Sequence, residues 1–133
     1  MHRIIFKGDY ILLIGIDIID IERVKKTAAR TPRFLYRIFT KKELEYCMGK
    51  KNPYPSLAVR FAAKEAVRKL DPVFISGVRF HDIEVLIKDN GQPYIVLHRA
   101  ALAKSKERGL NGLSLSLSHA DNQAIAAVIA SKE

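Results

Sequence analysis

Arg60-Phe61-Ala62-Ala63-Lys64-Glu65-Ala66 is the stretch of sequence around which the rest of the chain is arranged. Apolar residues recur here at spacings of three and four, which predicts the buried stripe of an amphipathic helix. That stripe consists of Leu57, Ala58, Phe61, Ala62, Ala66 and Leu70. Arg60, Lys64 and Arg68 follow one another at i, i+4 and i+8, so they form a row of cations on the neighbouring face. A row of cations beside a core-facing stripe predicts an anion bound along the helix.

Glu65 is an acid inside this basic stretch. On a helix it points about 100° away from Lys64, towards the core side of the row. A carboxylate near bound phosphate is costly unless a cation lies between them, and Mg²⁺ is the divalent ion that usually joins one or two protein carboxylates to substrate phosphates. The alternative is a surface acid in a salt-bridged, solvated helix, and the helix taken alone favours that alternative.

The composition is that of a soluble globular protein with one domain over residues 1–133. Hydrophobic residues make up 48% of the chain and charged residues 28%, both ordinary values. The longest apolar run, Tyr10 to Ile16, is too short to span a membrane, and we find no secretory signal. The single cysteine, Cys47, rules out an intrachain disulfide and fits a small core residue in a reducing cytoplasm. A cytoplasmic location is therefore expected.

Positive charge is concentrated in one part of the chain. The formal net charge is +9, and residues 23–69 contain 14 Lys or Arg against 3 Glu. Such a surface attracts polyanions or an acidic protein and speeds encounter with them. A nucleic-acid-binding module is therefore an alternative function, although we recognise no nucleic-acid motif and the aromatic residues do not alternate with bases as a stacking platform requires.

The order of predicted elements indicates an α+β fold with a mainly antiparallel sheet packed against a long helix. Asn90-Gly91 between two alternating runs predicts a hairpin. The strands are expected over 10–19, 81–88, 93–97, 113–118 and 123–130, the last of which suits the centre of the sheet. The helices are expected over 22–29, 41–48 with a capping box from Thr40 to Glu43, 57–70 with Ser56 as its cap, and 99–108, with a short helix or a turn over 33–39. Residues 1–9 are expected to form a flexible tail or a small edge element.

Three polar positions stand out against this fold. Asp17 lies within the apolar first strand, where a carboxylate is expensive to bury unless it is paired or bound to metal. Glu65 lies 48 residues further along, so only the fold can bring the two carboxylates together. His119 ends an alternating strand, where a histidine is more often part of the scaffold than catalytic. Together, the two carboxylates and the basic row would form a site for magnesium and phosphate.

Gly15-Ile16-Asp17, Arg60 to Ala66 and Ser116-Leu117-Ser118-His119 closely resemble, in this order, the holo-acyl-carrier-protein synthase family of 4′-phosphopantetheinyl transferases. The resemblance extends from about Ile14 to Ala130. As a set the three motifs are highly specific, whereas each alone is a weak signal. The resemblance implies Mg²⁺-dependent transfer of 4′-phosphopantetheine from coenzyme A to a serine of apo acyl carrier protein, which belongs to lipid metabolism and to fatty acid or polyketide biosynthesis.

The resemblance also implies the roles of the site residues. Asp17 and Glu65 match the metal-binding carboxylates, which would hold Mg²⁺ against the pyrophosphate of coenzyme A. Lys64 is expected near the phosphates, and Arg60 and His119 would contact the phosphate groups of the nucleotide. The base that takes the serine proton stays open between a carboxylate-bound water, Glu65 and His119. Asp17, Glu65, Lys64 and His119 are thus the candidate catalytic residues.

Two further groups of residues would contact other chains. Asn90, Gly91 and Pro93 lie in a hairpin that resembles the one that, in the family, approaches the nucleotide from a neighbouring subunit of a homotrimer. Arg23 matches a position that docks the acyl carrier protein. The basic segment 23–51 would provide the rest of that docking surface, because the carrier protein is acidic.

Overall fold

The structure, a computed structural model, describes residues 2–6 and 10–132, with side chains from residue 11 onwards. In this part of the chain the strands are β1 (His2–Phe6), β2 (Tyr10–Asp20), β3 (Ile83–Ile87), β4 (Pro93–Leu97), β5 (Leu110–His119) and β6 (Gln123–Lys132). The helices are α1 (Ile21–Arg30), α2 (Arg33–Ile38), α3 (Lys41–Met48), α4 (Tyr54–Leu70) and α5 (Arg99–Glu107). Short 3₁₀ turns lie at Pro72–Phe74 and Phe80–Asp82.

A four-stranded antiparallel sheet, in the order β1-β2-β6-β5, forms the scaffold. The last strand, β6, lies in its interior, as the apolar run over 123–130 predicted. Asp17 of β2 lies opposite Ala126 of β6, which lies opposite Leu117 of β5. Strands β3 and β4 pair separately around the predicted Asn90-Gly91 turn. The predicted α+β fold with antiparallel sheets is confirmed.

Residues 1–9 were expected to form a flexible tail or a small edge element. The structure has an edge element in part of this segment, because β1 pairs antiparallel with β2 from His2 opposite Ile14 to Phe6 opposite Tyr10. Residues 1 and 7–9 lie outside the described part of the chain.

Helix α4 packs on one face of the sheet against β2 and β6. Its buried stripe includes the predicted residues Leu57, Ala58, Ala62, Ala66 and Leu70. The facing strand β6 buries small residues too, namely Ala124, Ala126 and Ala130. Small side chains on both sides allow the helix and the sheet to approach closely, which is what a site shared between them requires.

The start of α4 differs from the prediction. The helix begins at Tyr54 with Pro53 as its N-cap, and Pro55 lies in its first turn. Ser56 was therefore wrongly predicted as the cap. A proline is tolerated in the first helical turn because the N–H that it lacks would have no helical partner there. The capping box from Thr40 to Glu43 at the start of α3 is confirmed.

Gly15 marks the closest approach of β2 to α4. A Cβ atom at this position would lie 1.9 Å from the Ala66 carbonyl oxygen and 3.3 Å from the Leu70 backbone nitrogen. Both neighbours are helix backbone, which cannot rotate away. Gly15 is thus required by space, and it lies two residues before Asp17 on the same strand.

We expect Gly15→Ala to destabilise the protein by about 2 kcal/mol, because overpacking of this kind forces the backbone to shift. The substitution should also lower activity, since it pushes β2 away from α4. Urea denaturation measures the first effect. Gly49→Ala is the matched control: a Cβ there meets only ordinary contacts of 3.5 and 3.7 Å, and its φ of −74° suits alanine. Equal stability of the two variants would contradict the close approach.

Candidate active site

Asp17 and Glu65 come together where β2 crosses α4. Asp17 is largely buried, and its Oδ1 lies 2.7 Å from the Nζ of Lys69. Glu65 is half-buried and its Oε1 lies 3.8 Å from Nε of Arg68. The fold therefore brings two carboxylates from distant parts of the sequence next to two cations of α4.

The pKa of Glu65 is affected by the charge of Asp17, so the two carboxylates are close enough to interact. Burial raises the pKa of Glu65, and the Asp17 charge raises it further, while Arg68 and Lys69 oppose both effects. Two carboxylates that repel one another at a partly buried position favour the binding of a cation. A cation between them would remove that repulsion.

Two buried side-chain polar atoms lack a hydrogen-bond partner within residues 11–132, namely Oδ2 of Asp17 and Nε of Arg60. Such groups are rare in folded proteins and need an explanation. One is an acceptor on a predicted metal ligand, and the other is a donor on a predicted phosphate ligand. Oδ2 of Asp17 thus lies at the carboxylate pair, whereas Nε of Arg60 lies on the side of α4 that faces α3.

Arg60 is otherwise well held. Its guanidinium donates to the Ser56 carbonyl oxygen at 3.0 Å and stacks over the Tyr46 ring, with Cζ 4.5 Å from the ring centroid. The side chain is almost fully buried. Arg60 is thus held, like Lys64, on the side of α4 that faces α3.

Lys64 is held inside the protein in this chain, and its expected contact with the phosphates stays a prediction. Its Nζ is fully buried, lies 2.8 Å from Oε1 of Glu43, and donates to the carbonyl oxygens of Phe80 and Ile83. Burial lowers the pKa of Lys64, and the Glu43 carboxylate opposes that effect. All three ammonium donors are used inside the protein, so Lys64 joins α4 to α3 and β3 instead of facing the carboxylate pair.

The remaining predicted residues do not reach the carboxylate pair within this chain. His119 is exposed at the end of β5, and the hydrogen bond described for its ring joins Nδ1 to the Ala120 oxygen at 3.4 Å. Asn90 and Gly91 form the exposed tip of the β3–β4 turn, and Pro93 begins β4. In the tip, Oδ1 of Asn90 accepts from the Gln92 backbone at 2.9 Å, and Gly91 has a φ of +88°.

Arg23, the predicted docking residue, is exposed in the first turn of α1. It lines a groove of about 340 Å³ together with Ile18, Phe34 and Phe61. Phe61 lies one helical turn before Glu65 on α4, so the groove lies along the same helix as Glu65, although neither carboxylate lines it. A partner held at Arg23 would lie beside the helix that carries Glu65.

The contacts of two residues in this region were not predicted from the sequence. Lys69 lies four residues after Glu65, a spacing that could have indicated a side chain on the same face of α4. Its actual partner, Asp17, is 52 residues away and depends on the fold. Glu43 was recognised only as a helix cap, although its carboxylate also accepts from the Val85 backbone at 2.8 Å.

The residues present fit a magnesium ion that is shared with a substrate. Within residues 11–132 no group of three or more His, Cys, Asp or Glu is placed to hold a metal. A pair of carboxylates with an orphaned oxygen is instead the donor set that Mg²⁺ uses when phosphates provide further ligands. The ion would thus need the substrate for a full coordination shell.

Comparisons with known proteins agree with this geometry. The profile of the 4′-phosphopantetheinyl transferase superfamily matches residues 13–128. Holo-[acyl-carrier-protein] synthase of Caldanaerobacter subterraneus subsp. tengcongensis is 42% identical over 119 residues, covering 90% of this chain and 94% of the relative. The synthase of Carboxydothermus hydrogenoformans is 48% identical over 113 residues, covering 84% and 91%.

Solved structures show the same similarity. Helicobacter pylori holo-[acyl-carrier-protein] synthase in complex with coenzyme A superposes with a TM-score of 0.74 at 32% identity, covering 89% of this chain and 99% of that one. The resemblance carried by the three sequence motifs is thereby confirmed. The chain belongs to the 4′-phosphopantetheinyl transferase superfamily.

Proposed function

We propose that this protein is a holo-[acyl-carrier-protein] synthase, which transfers 4′-phosphopantetheine from coenzyme A to a serine hydroxyl of apo acyl carrier protein. Adenosine 3′,5′-bisphosphate is the second product. The single observation that carries the proposal is the orphaned buried Oδ2 of Asp17, which lies beside Glu65 at the position expected to bind metal. The similarity to synthases over nearly the whole chain supports it.

In this proposal Asp17 and Glu65 hold Mg²⁺ together with the pyrophosphate of coenzyme A. When bound, the ion would neutralise part of the phosphate charge and stabilise the leaving group, adenosine 3′,5′-bisphosphate. Lys69, which already lies against Asp17, contributes further positive charge, and Arg60 is proposed to contact the phosphate groups of the nucleotide. Pyrophosphate cleavage depends mainly on such fixed charges.

The serine must lose its proton as its oxygen attacks the β-phosphate. The proton acceptor stays open between a carboxylate-bound water, Glu65 and His119. His119 completes the nucleotide site in this proposal. Because His119 and the hairpin residues Asn90, Gly91 and Pro93 do not reach Asp17 within one chain, they would come from a neighbouring subunit.

The carrier protein would dock on α1. The exposed side chains of this helix include Arg23, Lys25, Lys26 and Arg30. An acidic partner is attracted to such a surface, and the groove beside Arg23 is lined in part by Phe61, one helical turn before Glu65. We propose that this docking delivers the serine to the site.

The sheet offers a surface for the proposed homotrimer. The face opposite α4 exposes Ile16, Ile18, Ile125 and Ile129, each 40–57% accessible. Ile18 lies directly opposite Ile125 across the β2–β6 ladder. An exposed apolar face of this kind supports association between copies.

We also propose that the chain is a single domain and that the protein is cytoplasmic. No helix within the described residues is long and apolar enough to cross a membrane.

Ile18→Arg should convert the proposed trimer to monomers, because it places a charge at the centre of the apolar face. Activity should fall with it, since each site would lose residues of the neighbouring chain. Light scattering after size-exclusion chromatography measures the mass. Tyr36→Arg, on the exposed surface of α2, is the control and should leave the mass unchanged. A wild-type monomer with full activity would contradict the proposal.

The function itself is tested by mass spectrometry. Purified protein, Mg²⁺ and coenzyme A should add one phosphopantetheine mass to an apo acyl carrier protein, and EDTA should prevent the gain. No gain with several apo carrier proteins, including that of the source organism, would contradict the assignment. Salt-sensitive nucleic-acid binding without Mg²⁺ or coenzyme A dependence would favour the alternative module.

A further inference from the structure

A second concave site lies between α2, α3 and the start of β3. This cavity has a volume of about 900 Å³. Among the described residues that line it, there is none of the carboxylate site: Asp17, Arg60, Glu65 and Lys69 are all elsewhere. Sites for small organic ligands measure about 300–1,000 Å³. The cavity is therefore large enough for a ligand and separate from the proposed transferase chemistry.

The walls of the cavity are apolar. They are formed by Leu35 and Phe39 of the α2 region and by Leu44 and Met48 of α3. At the rim Met48 is 52% exposed and Tyr36 69% exposed. Binding of a ligand over these exposed apolar side chains would remove their surface from water, which is favourable in free energy.

The polar floor of the cavity is already satisfied. Oε2 of Glu84 accepts a hydrogen bond from the Thr40 hydroxyl at 2.6 Å, and Oε1 lies 2.9 Å from Nε2 of His98. Burial raises the pKa of Glu84, but the bonds from Thr40 and His98 outweigh that effect and leave the pKa below its ordinary value. The floor thus contains an ionised carboxylate with both oxygens engaged, which has little left to offer a ligand.

Most charged groups at the rim are engaged as well. Lys41 pairs with Glu45 at 4.0 Å, and Nε of Arg99 donates to Asp82 at 2.8 Å. Nε2 of His81 lies 2.6 Å from the Tyr36 carbonyl oxygen. Lys42, also at the rim, takes part in none of the ion pairs found among residues 11–132.

The geometry points to a binding site for an amphiphile with one apolar chain and one anionic head group, and we propose a fatty carboxylate as its ligand. The chain lies along Leu35, Phe39, Leu44 and Met48, and the carboxylate lies at Lys42. Apolar walls select the chain. The ammonium of Lys42, whose charge also helps to lower the pKa of Glu84 but which is in no close ion pair, selects the sign of the head group.

Isothermal titration calorimetry with dodecanoate, kept below its micelle concentration, tests the proposal on the full chain. We expect one saturable site per chain. Lys42→Glu should weaken binding about fivefold by reversing the charge at the head group. Met48→Glu should weaken it about tenfold by removing apolar contact and adding a like charge. Both side chains are exposed, so folding should be unaffected, which circular dichroism checks.

Lys88→Ala, an exposed lysine of the β3–β4 turn outside the cavity, is the control and should bind like the parent protein. Equal affinity for dodecyltrimethylammonium, which has the same chain and a cationic head, would overturn the proposal. Displacement of dodecanoate by coenzyme A would overturn it too, since it would place the ligand in the transferase site. Absence of saturable binding would overturn it as well, and would leave the transferase assignment untouched.

Discussion

Replacing Asp17 by asparagine is expected to lower the transfer rate by at least about 10³-fold, because the change removes the negative charge that holds a cation at the reacting phosphates. Asparagine keeps the size and shape of the side chain, so the fold should survive. Glu65 should even become easier to ionise, since the Asp17 charge helps to raise its pKa. Turnover is measured as the mass gain of the carrier protein over a range of Mg²⁺ concentrations.

Asp20→Asn is the matched control for this prediction. Asp20 ends the same strand and caps α1 by accepting from the backbone N–H groups of Glu22 and Arg23. Asparagine is an equally good N-cap, so this variant should retain nearly full activity. An Asp17→Asn enzyme within tenfold of the parent rate would contradict the assignment of Asp17 as a metal ligand.

Replacing Glu43 by glutamine should cost about 3–5 kcal/mol of unfolding free energy, because it leaves the Lys64 ammonium buried without a counter-charge. Both side chains of this ion pair are fully inaccessible, with Nζ and Oε1 2.8 Å apart. Urea denaturation measures the loss. Glu45→Gln on the same helix removes an exposed partner at 4.0 Å from Lys41 and should change stability by less than about 1 kcal/mol.

The double variant Glu43→Leu with Lys64→Met separates the two roles considered for Lys64. Replacement of a buried pair by apolar residues of similar size is often neutral, so stability should recover well beyond that of Glu43→Gln. If Lys64 is an internal anchor, this variant should still bind coenzyme A. A stable double variant with specifically weakened coenzyme A binding would instead support the contact with phosphates that the sequence resemblance implied.

Much of the fold could be predicted because its signals are local. Alternation around Asn90-Gly91 predicted the hairpin, and the apolar spacing after Leu57 predicted the buried face of α4. The start of α4 was missed because Pro53 and Pro55 resemble a loop, although a first helical turn tolerates them. The β1 pairing was left open because residues 2–6 have no strong periodicity of their own.

The site was only partly predictable, because its contacts join distant segments. Asp17 and Glu65 were identified from residue type and motif, and the fold brings them together. The pairing of Lys69 with Asp17 and of Lys64 with Glu43 depends on how α4 lies against β2 and α3, which no local spacing specifies. Adjacent lysine and glutamate on one helix therefore have unlike environments: Lys64 is fully buried, whereas Glu65 reaches solvent.

The buried ammonium of Lys64 has a mechanical consequence for its neighbour. Three contacts, to Glu43, Phe80 and Ile83, oppose any turning of α4 about its own axis. Successive residues of a helix differ in direction by about 100°, so a small rotation would swing the next carboxylate off its target. Lys64 thus fixes the rotation of α4 about its axis. In this way a buried residue sets the direction of the neighbouring Glu65 side chain.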